Sequence, residues 1–268
     1  MRVRYHQKHI PDLGILRDYC GAGLKLTTIY NYRQKGIEKD DRKITAKGEA
    51  GNTEKLKNSL SRTKNRIFEL ALCNPWEWFA TLTLSPEKYD RQDLEKYRKD
   101  LSQFIRDYRK KTGNDVKYLL IPERHQDGSW HMHGFFMGLP VEELHAFTAS
   151  EHLPYHILKQ LAEGKQVYTW EAYAKKFGFA NLEAIRNQEA ASRYITKYIT
   201  KEAMRTITEL NSHAFFASKG LQSSVIAWKD ILARELTCPD YENDYLATKW
   251  FANEDYDTAL SYFGEALT

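Results

Sequence analysis

Val116-Lys-Tyr-Leu-Leu-Ile-Pro-Glu-Arg-His125 and Trp130-His-Met-His-Gly-Phe-Phe-Met-Gly138, joined by Gln126-Asp127-Gly128-Ser129, decide the fold. Both runs are rich in aliphatic and aromatic residues and flank a turn sequence, so they read as a β-hairpin. His131 and His133 are two apart and project from one face of their strand. Whether Glu123 joins them depends on the loop. A two-residue Asp127-Gly128 turn pairs Glu123 with Met132 and turns the carboxylate away from the imidazoles. A three-residue loop, Gln126 to Gly128 with Gly128 left-handed, pairs His125 with Ser129 and Glu123 with His131. Gly128 occupies the position that the second loop favours. The expectation is therefore a carboxylate and two imidazoles on one sheet face.

Working outward, Trp76-Glu-Trp-Phe-Ala-Thr-Leu-Thr-Leu-Ser85 reads as a strand stopped by Pro86. Asp90 to Lys111 reads as an amphipathic helix, with Leu94, Tyr97, Leu101, Phe104, Ile105 and Tyr108 as its stripe and Gly113 beyond its end. A helix from Thr53 ends at Asn74-Pro75. Helical turns are expected over 141–163 and 170–176, a strand over Phe179–Ile185, and a helix from Gln188 to about Arg205. Residues 1–52 read as a basic arm with a short helix near residue 30. In the last 60 residues, Phe215–Ser218 reads as extended and Asn243–Leu267 as largely helical.

The order βαββ, a helical excursion, then βα predicts an α+β fold. Its form is a ferredoxin-like split βαβ antiparallel sheet, with the histidine pair on a central strand. Three parts are expected in succession: 1–70 as basic arm and helix, 71–205 as the sheet domain, and 206–268 as a partly helical acidic extension.

A chain of 268 residues with 42% hydrophobic content is long and apolar enough for a sizeable core. Cys20, Cys73 and Cys238 show no metal-binding or redox spacing. No run of about 18 apolar residues exists, so no membrane is expected, and the location expected is the cytoplasm of a bacterial cell. Residues 31–68 hold 11 Lys and Arg against 5 Asp and Glu, while 234–268 hold 2 against 8. Such asymmetry fits contact with a polyanion at one end.

Two imidazoles and a carboxylate suit Mg²⁺ or Mn²⁺. His125 shares the Glu123 face by alternation and reads as an ordinary loop histidine. Downstream, Tyr194-Ile-Thr-Lys197-Tyr198-Ile-Thr-Lys201 places two phenols four residues apart, on one helix face. Lys197 and Lys201 each follow a tyrosine by three, and a nearby ammonium favours the phenolate. Arg193, Lys197, Lys201 and Arg205 form a basic ridge, and Ile195 and Ile199 an apolar pair that can anchor the helix. Tyr32 and Trp130 are candidate base-stacking residues, although burial is the expected fate of each.

Taken in order, Thr81-Leu82-Thr83, Glu123, His131-Met-His133-Gly134 and the tyrosine–lysine helix resemble the rolling-circle replication initiators (Rep proteins) of the HUH endonucleases. The likeness, which is to the two-tyrosine type of phages and plasmids, covers about residues 53–220. The resemblance implies that His131, His133 and Glu123 bind the metal. It makes Tyr194 and Tyr198 nucleophiles, with a lean to Tyr198 for the first nick, and Lys197 and Lys201 their lysines. It implies nicking and rejoining of single-stranded or hairpin origin DNA through a 5′-phosphotyrosine, leaving a 3′-hydroxyl for a host polymerase. The chain has no Gly-x-x-x-x-Gly-Lys-Ser/Thr loop, so a host helicase is expected. Arg193, Arg205, Arg62, Lys64 and Arg66 are the expected phosphate contacts. The role of Thr81-Leu82-Thr83 is the least defined.

Other readings stand beside this one. A single-strand transposase or relaxase uses the same chemistry, and Tyr5 keeps a relaxase formally open. A non-catalytic nucleic-acid-binding module explains the charge but not the duplicated Tyr-x-x-Lys. A metal-dependent phosphoesterase using water would leave no covalent adduct.

Overall fold

The computed structural model describes residues 12–30, 53–199 and 214–264, with side chains of the first helix described from Ser59 onward. In chain order the strands and helices begin with β1 (Leu13–Asp18), β2 (Leu24–Ile29), α1 (Thr53–Leu72), β3 (Trp78–Leu84) and α2 (Leu94–Thr112). Next come β4 (Lys117–Arg124), β5 (Trp130–Met137), β6 (Leu144–Ala146), α3 (Tyr155–Ala162), β7 (Tyr168–Trp170) and α4 (Glu171–Lys176). Then follow β8 (Gly178–Ala184), α5 (Gln188–Ile195), β9 (Phe216–Ala217), β10 (Val225–Ile231), β11 (Tyr241–Glu242) and β12 (Leu246–Phe251). The chain groups into two compact units, residues 45–221 and residues 1–44 with 222–268. Three successive parts were expected instead; α1 groups with the larger unit, and the two ends of the chain share the smaller one.

The larger unit is built on an antiparallel sheet of order β6-β7-β8-β3-β5-β4-β9. Its central run β8-β3-β5-β4 is the strand order of a split βαβ sheet, with β5 between the two strands that α2 connects. The α+β class is as read. Because side chains alternate, each strand supplies two cores. Trp78, Ala80, Leu82, Met132 and Phe136 face α2, where Leu94, Tyr97, Leu101 and Ile105 are buried against them. Phe79, Leu119, Ile121 and Phe135 face α1 and α5, meeting Ile67, Leu70, Ala71, Ile195 and Ile199. Helix α2 starts at Asp93, whose side chain accepts from Lys96 N, and stops at Gly113 in the left-handed conformation.

Gly134 lies on β5 opposite Leu120 of β4. A Cβ there would run into the Leu119 carbonyl oxygen and crowd Leu120 Cα. Neither is the end of a flexible side chain, so relief requires the strands to part. Gly134→Ala is expected to destabilise the protein by about 1–3 kcal/mol in urea unfolding, the range for overpacking a dense core. An unchanged midpoint would show that the strands yield freely.

Three readings are corrected here. Residues 12–30 are not an arm: β1 and β2 form a hairpin in which Leu24, Leu26 and Thr28 are buried in alternation. This period of two is masked by the polar composition around it. Residues 243–264 are not largely helical: β12 pairs with β2, and helix is confined to short turns and Tyr256–Leu260. Pairing on the β2 edge overrides the local preferences of Leu246-Ala247. The excursion after β5 contains strands β6 and β7 besides helical turns, adding an edge to the sheet. The smaller unit has the order β10-β1-β2-β12-β11, with Leu16, Leu24, Leu26, Phe251, Ala259 and Tyr262 as its core. Among the described residues no helix is long and apolar enough to cross a membrane.

Candidate active site

The site stands on the β3–β5–β4 face beneath α5. The hairpin loop is the three-residue type: Gly128 N donates to His125 O at 3.0 Å, His125 N to Ser129 O at 2.9 Å, and Gly128 has φ 84°. Glu123 consequently lies opposite His131. Asp127 holds this loop, accepting from Ser129 N at 3.0 Å, Ser129 Oγ at 2.6 Å and Arg91 Nη2 at 2.9 Å.

Those hydrogen bonds, from Ser129 first and then Arg91, lower the Asp127 carboxyl from its ordinary 3.8 to about 2. A carboxyl depressed on folding stabilises the native state above its unfolded pKa and loses that contribution as pH falls through the folded one. The stability gap between the wild-type protein and Asp127→Ala should therefore be full above about pH 4 and close by about pH 2. Thermal melts across that range measure it; a constant gap would rule the linkage out.

Four side chains gather on the face set by this register. His133 Nε2 is 2.7 Å from Glu123 Oε2, and His125 Nε2 is 3.9 Å from the same oxygen. The His125 ring stacks on His131 with centroids 3.7 Å apart, so it is a member of the cluster rather than an incidental loop residue. The alternation of β4, continued one residue past its end, puts His125 on the Glu123 face. Thr81 Oγ1 lies 3.1 Å from His133 Nδ1, and Thr83 Oγ1 lies 3.3 Å from His131 Nδ1. Burial is the main force lowering the His131 pKa, to about 4, with His125 and His133 adding to it. Burial also lowers that of His133, against the opposing pull of Glu123. Burial thus disfavours charge on both rings, and the neutral imidazole is the form that ligates metals.

Among the described residues no three His, Cys, Asp or Glu side chains are gathered round one point as a formed metal centre. The donors nonetheless fit a divalent cation in kind. His133 Nε2 is buried without an aligned hydrogen bond, although a carboxylate oxygen lies 2.7 Å away. Only a proton or a cation relieves two acceptors at that distance.

Helix α5 brings the tyrosines. Asn187 caps it by accepting from Ala190 N, and Gln188 Nε2 ties it to α1 through Ala71 O at 2.6 Å and Asn74 O at 2.9 Å. Ile195 and Ile199 are buried against the sheet, each contributing about 1.5–3 kcal/mol, which fixes the helix in rotation. The continuous helix expected to Arg205 does not form: α5 ends at Ile195, a 3-10 turn spans Thr196–Tyr198, and Ile199 leaves helical geometry at φ −93°, ψ 80°. Thr196 Oγ1 bonds Arg193 O at 2.8 Å, and three β-branched residues in five weaken the helix there.

Tyr198 stacks on His133, with ring centroids 4.1 Å apart and planes at 11°. Its hydroxyl is 3.1 Å from that of Tyr194, and the Tyr194 ring meets Phe79 edge-on at 5.5 Å. Burial raises the Tyr198 pKa, and the Tyr194 hydrogen bond and the Glu123 and Glu183 carboxylates raise it further. Lys197, the ammonium expected beside Tyr194, has its Nζ over the Tyr194 ring, 5.1 Å from the centroid. Lys201 and Arg205, with Tyr5 and Tyr32, fall outside the described residues.

Of the expected phosphate contacts, Arg62 and Arg66 are exposed on α1 and Lys64 is half-buried. Arg66 pairs with Glu69 at 2.8 Å, and Arg193 on α5 with Glu189 at 2.6 Å. Trp130 is buried against α2 and cannot stack on a base. A shallow cleft lined by Glu123, Arg124, His125, Gln126 and Asp127 opens beside the histidines.

Residues 77–203, just under half of the chain, match the model of a family described as replication-associated protein ORF2. The matched span runs from β3 through the tyrosine turn and so contains the whole site. No curated protein and no solved structure gives a significant match.

Proposed function

We propose that this protein is a rolling-circle replication initiator that nicks and rejoins single-stranded origin DNA through a 5′-phosphotyrosine. One observation carries the reading: a phenol is stacked on a buried histidine whose Nε2 meets a carboxylate, within a span matching a replication-associated family. A nucleophile adjacent to a metal-type donor set is the requirement for phosphoryl transfer to a side chain.

In this reading His131, His133 and Glu123 would hold Mg²⁺ or Mn²⁺. When bound, such a cation draws charge from a non-bridging oxygen of the scissile phosphate. The chain's own residues do the rest. Basic side chains of α1, of α5 and of the turn after it, Arg62, Lys64, Arg66, Arg193 and Lys197, steer the strand toward the sheet face. Tyr198 Oη attacks phosphorus, the phosphorus–O3′ bond breaks, and the departing oxygen takes up a proton to give the 3′-hydroxyl. The phenolic proton must leave first, since burial and Tyr194 keep Tyr198 protonated. Tyr194 Oη, 3.1 Å away, is the adjacent atom that can accept the strand in a second transfer. The ester conserves bond energy, so rejoining needs no nucleotide. Incubation with origin-like single-stranded oligonucleotides and Mn²⁺ tests the reading: a denaturation-resistant protein–DNA adduct is expected. Cleavage without any adduct would mean that water is the nucleophile.

A further inference from the structure

Two threonines on β3 do something that their strand position alone does not require. Thr81 and Thr83 are the cross-strand partners of His133 and His131 in the β3–β5 register. Each hydroxyl reaches Nδ1 of its own partner, at 3.1 and 3.3 Å. A half-buried position on a central strand is filled equally well by valine, so strand formation does not explain the hydroxyls. The repeated pairing, one hydroxyl per imidazole and always at Nδ1, does.

An imidazole on a strand has two freedoms that matter to a ligand. It can flip about its Cβ–Cγ bond, exchanging Nδ1 with Cδ2, and it can carry its proton on either nitrogen. A hydrogen bond at Nδ1 opposes the flip, and it sets the tautomer where the hydroxyl oxygen is the acceptor. With Nδ1–H donating to the threonine oxygen, the lone pair is confined to Nε2. For His133 that is the buried atom 2.7 Å from Glu123 Oε2.

We infer that Thr81 and Thr83 are positioning residues that fix the His133 and His131 rings as Nδ1–H tautomers, presenting Nε2 for a divalent cation. The metal half of this assignment rests on the function proposed above; the tautomer half rests on the Nδ1 contacts with the hydroxyl oxygens as acceptors. Thr81-Leu82-Thr83 then belongs to the site as the outer support of its ligands.

Two measurements on the full chain without DNA decide the matter. The first is a long-range ¹H–¹⁵N correlation of the histidine rings at neutral pH in the wild-type protein. Nδ1–H tautomers at His131 and His133 are expected, and Nε2–H tautomers at both would overturn the assignment whatever the variants do. The second is titration with Mn²⁺ alone, followed by the loss of its free electron-paramagnetic signal. Thr81→Val and Thr83→Val should each weaken binding about 10- to 100-fold, as loss of an outer-shell partner does. Thr81→Ser and Thr83→Ser, which keep the hydroxyl, should bind as the wild type. Folded valine variants with wild-type affinity would sink the positioning role. A wild-type protein that binds no Mn²⁺ would sink the metal reading and the ligand-presenting half with it, and the ring spectra of that sample would still report on the threonines.

Discussion

Tyr198→Phe is expected to abolish the covalent adduct and lower cleavage of single-stranded origin DNA by at least about 10³-fold. Phenylalanine keeps the ring that stacks on His133 at 4.1 Å, so the turn, its burial and the support from Ile195 and Ile199 persist. What is lost is one oxygen, and a loss of this size from one oxygen identifies the nucleophile. Tyr194→Phe separates the two phenols. Tyr194 is 44% exposed, packs edge-on against Phe79, and shares a hydrogen bond with Tyr198. Its loss removes one of the influences that keep Tyr198 protonated, so the first nick should survive while the second transfer is lost. A gel assay with one labelled oligonucleotide for the nick and a second as acceptor reads both steps. The reverse pattern would exchange the roles, and cleavage persisting in the double variant would falsify covalent catalysis.

His133→Ala should cost at least about 10²-fold in metal-dependent cleavage, more than any other single change among the four clustered side chains. His133 is 8% exposed and joins Thr81, Glu123 and Tyr198, so its removal takes a donor, frees the carboxylate and unseats the nucleophile together. His125→Ala is the comparison. Its ring stacks on His131 and stands 3.9 Å from Glu123, contacts that support the site without engaging the tyrosine. A loss under about tenfold is expected there, in line with the weakest outer-shell effects. Rates measured over a range of Mn²⁺ concentrations separate lost affinity from lost turnover. Equal losses in the two variants would mean that the histidines act only through their packing.

How much of the site was legible follows from how local its causes are. The Glu123–His131 pairing was readable because Gly128 alone, within the short loop between the strands, selects the loop type and hence the register. The isoleucine anchor was readable from spacing within one turn of helix. The early end of α5 at Ile195 was not, since Tyr-x-x-Lys-Tyr-x-x-Lys has a helical period whether or not the third turn tightens. The stacking of Tyr198 on His133 was foreseen only as two motifs that must meet. Their contact depends on how α5 lies on the sheet, which Gln188, Ala71 and Asn74 decide through contacts more than 110 residues apart.

Within the smaller unit, none of the sheet was readable, although β2 carries a plain alternation. Its strands come from both ends of the chain, as the pairings of β1 with β10 and of β2 with β12 show. A short polar strand is stabilised by its neighbours, and although β1 and β2 pair with each other, the strands that flank them are about 200 residues away.

By itself, the sequence determined the α+β class, the hairpin with its register, and which residues the proposed phosphoryl transfer would use, because periodicity, turn geometry and side-chain chemistry act over a few residues. Only the tertiary structure decided which nitrogens Thr81 and Thr83 engage, which tyrosine rests on His133, and that Lys197 meets Tyr194 over its ring face. Those are contacts between elements, set by how a buried sheet face and the helix upon it pack, and no local pattern encodes them.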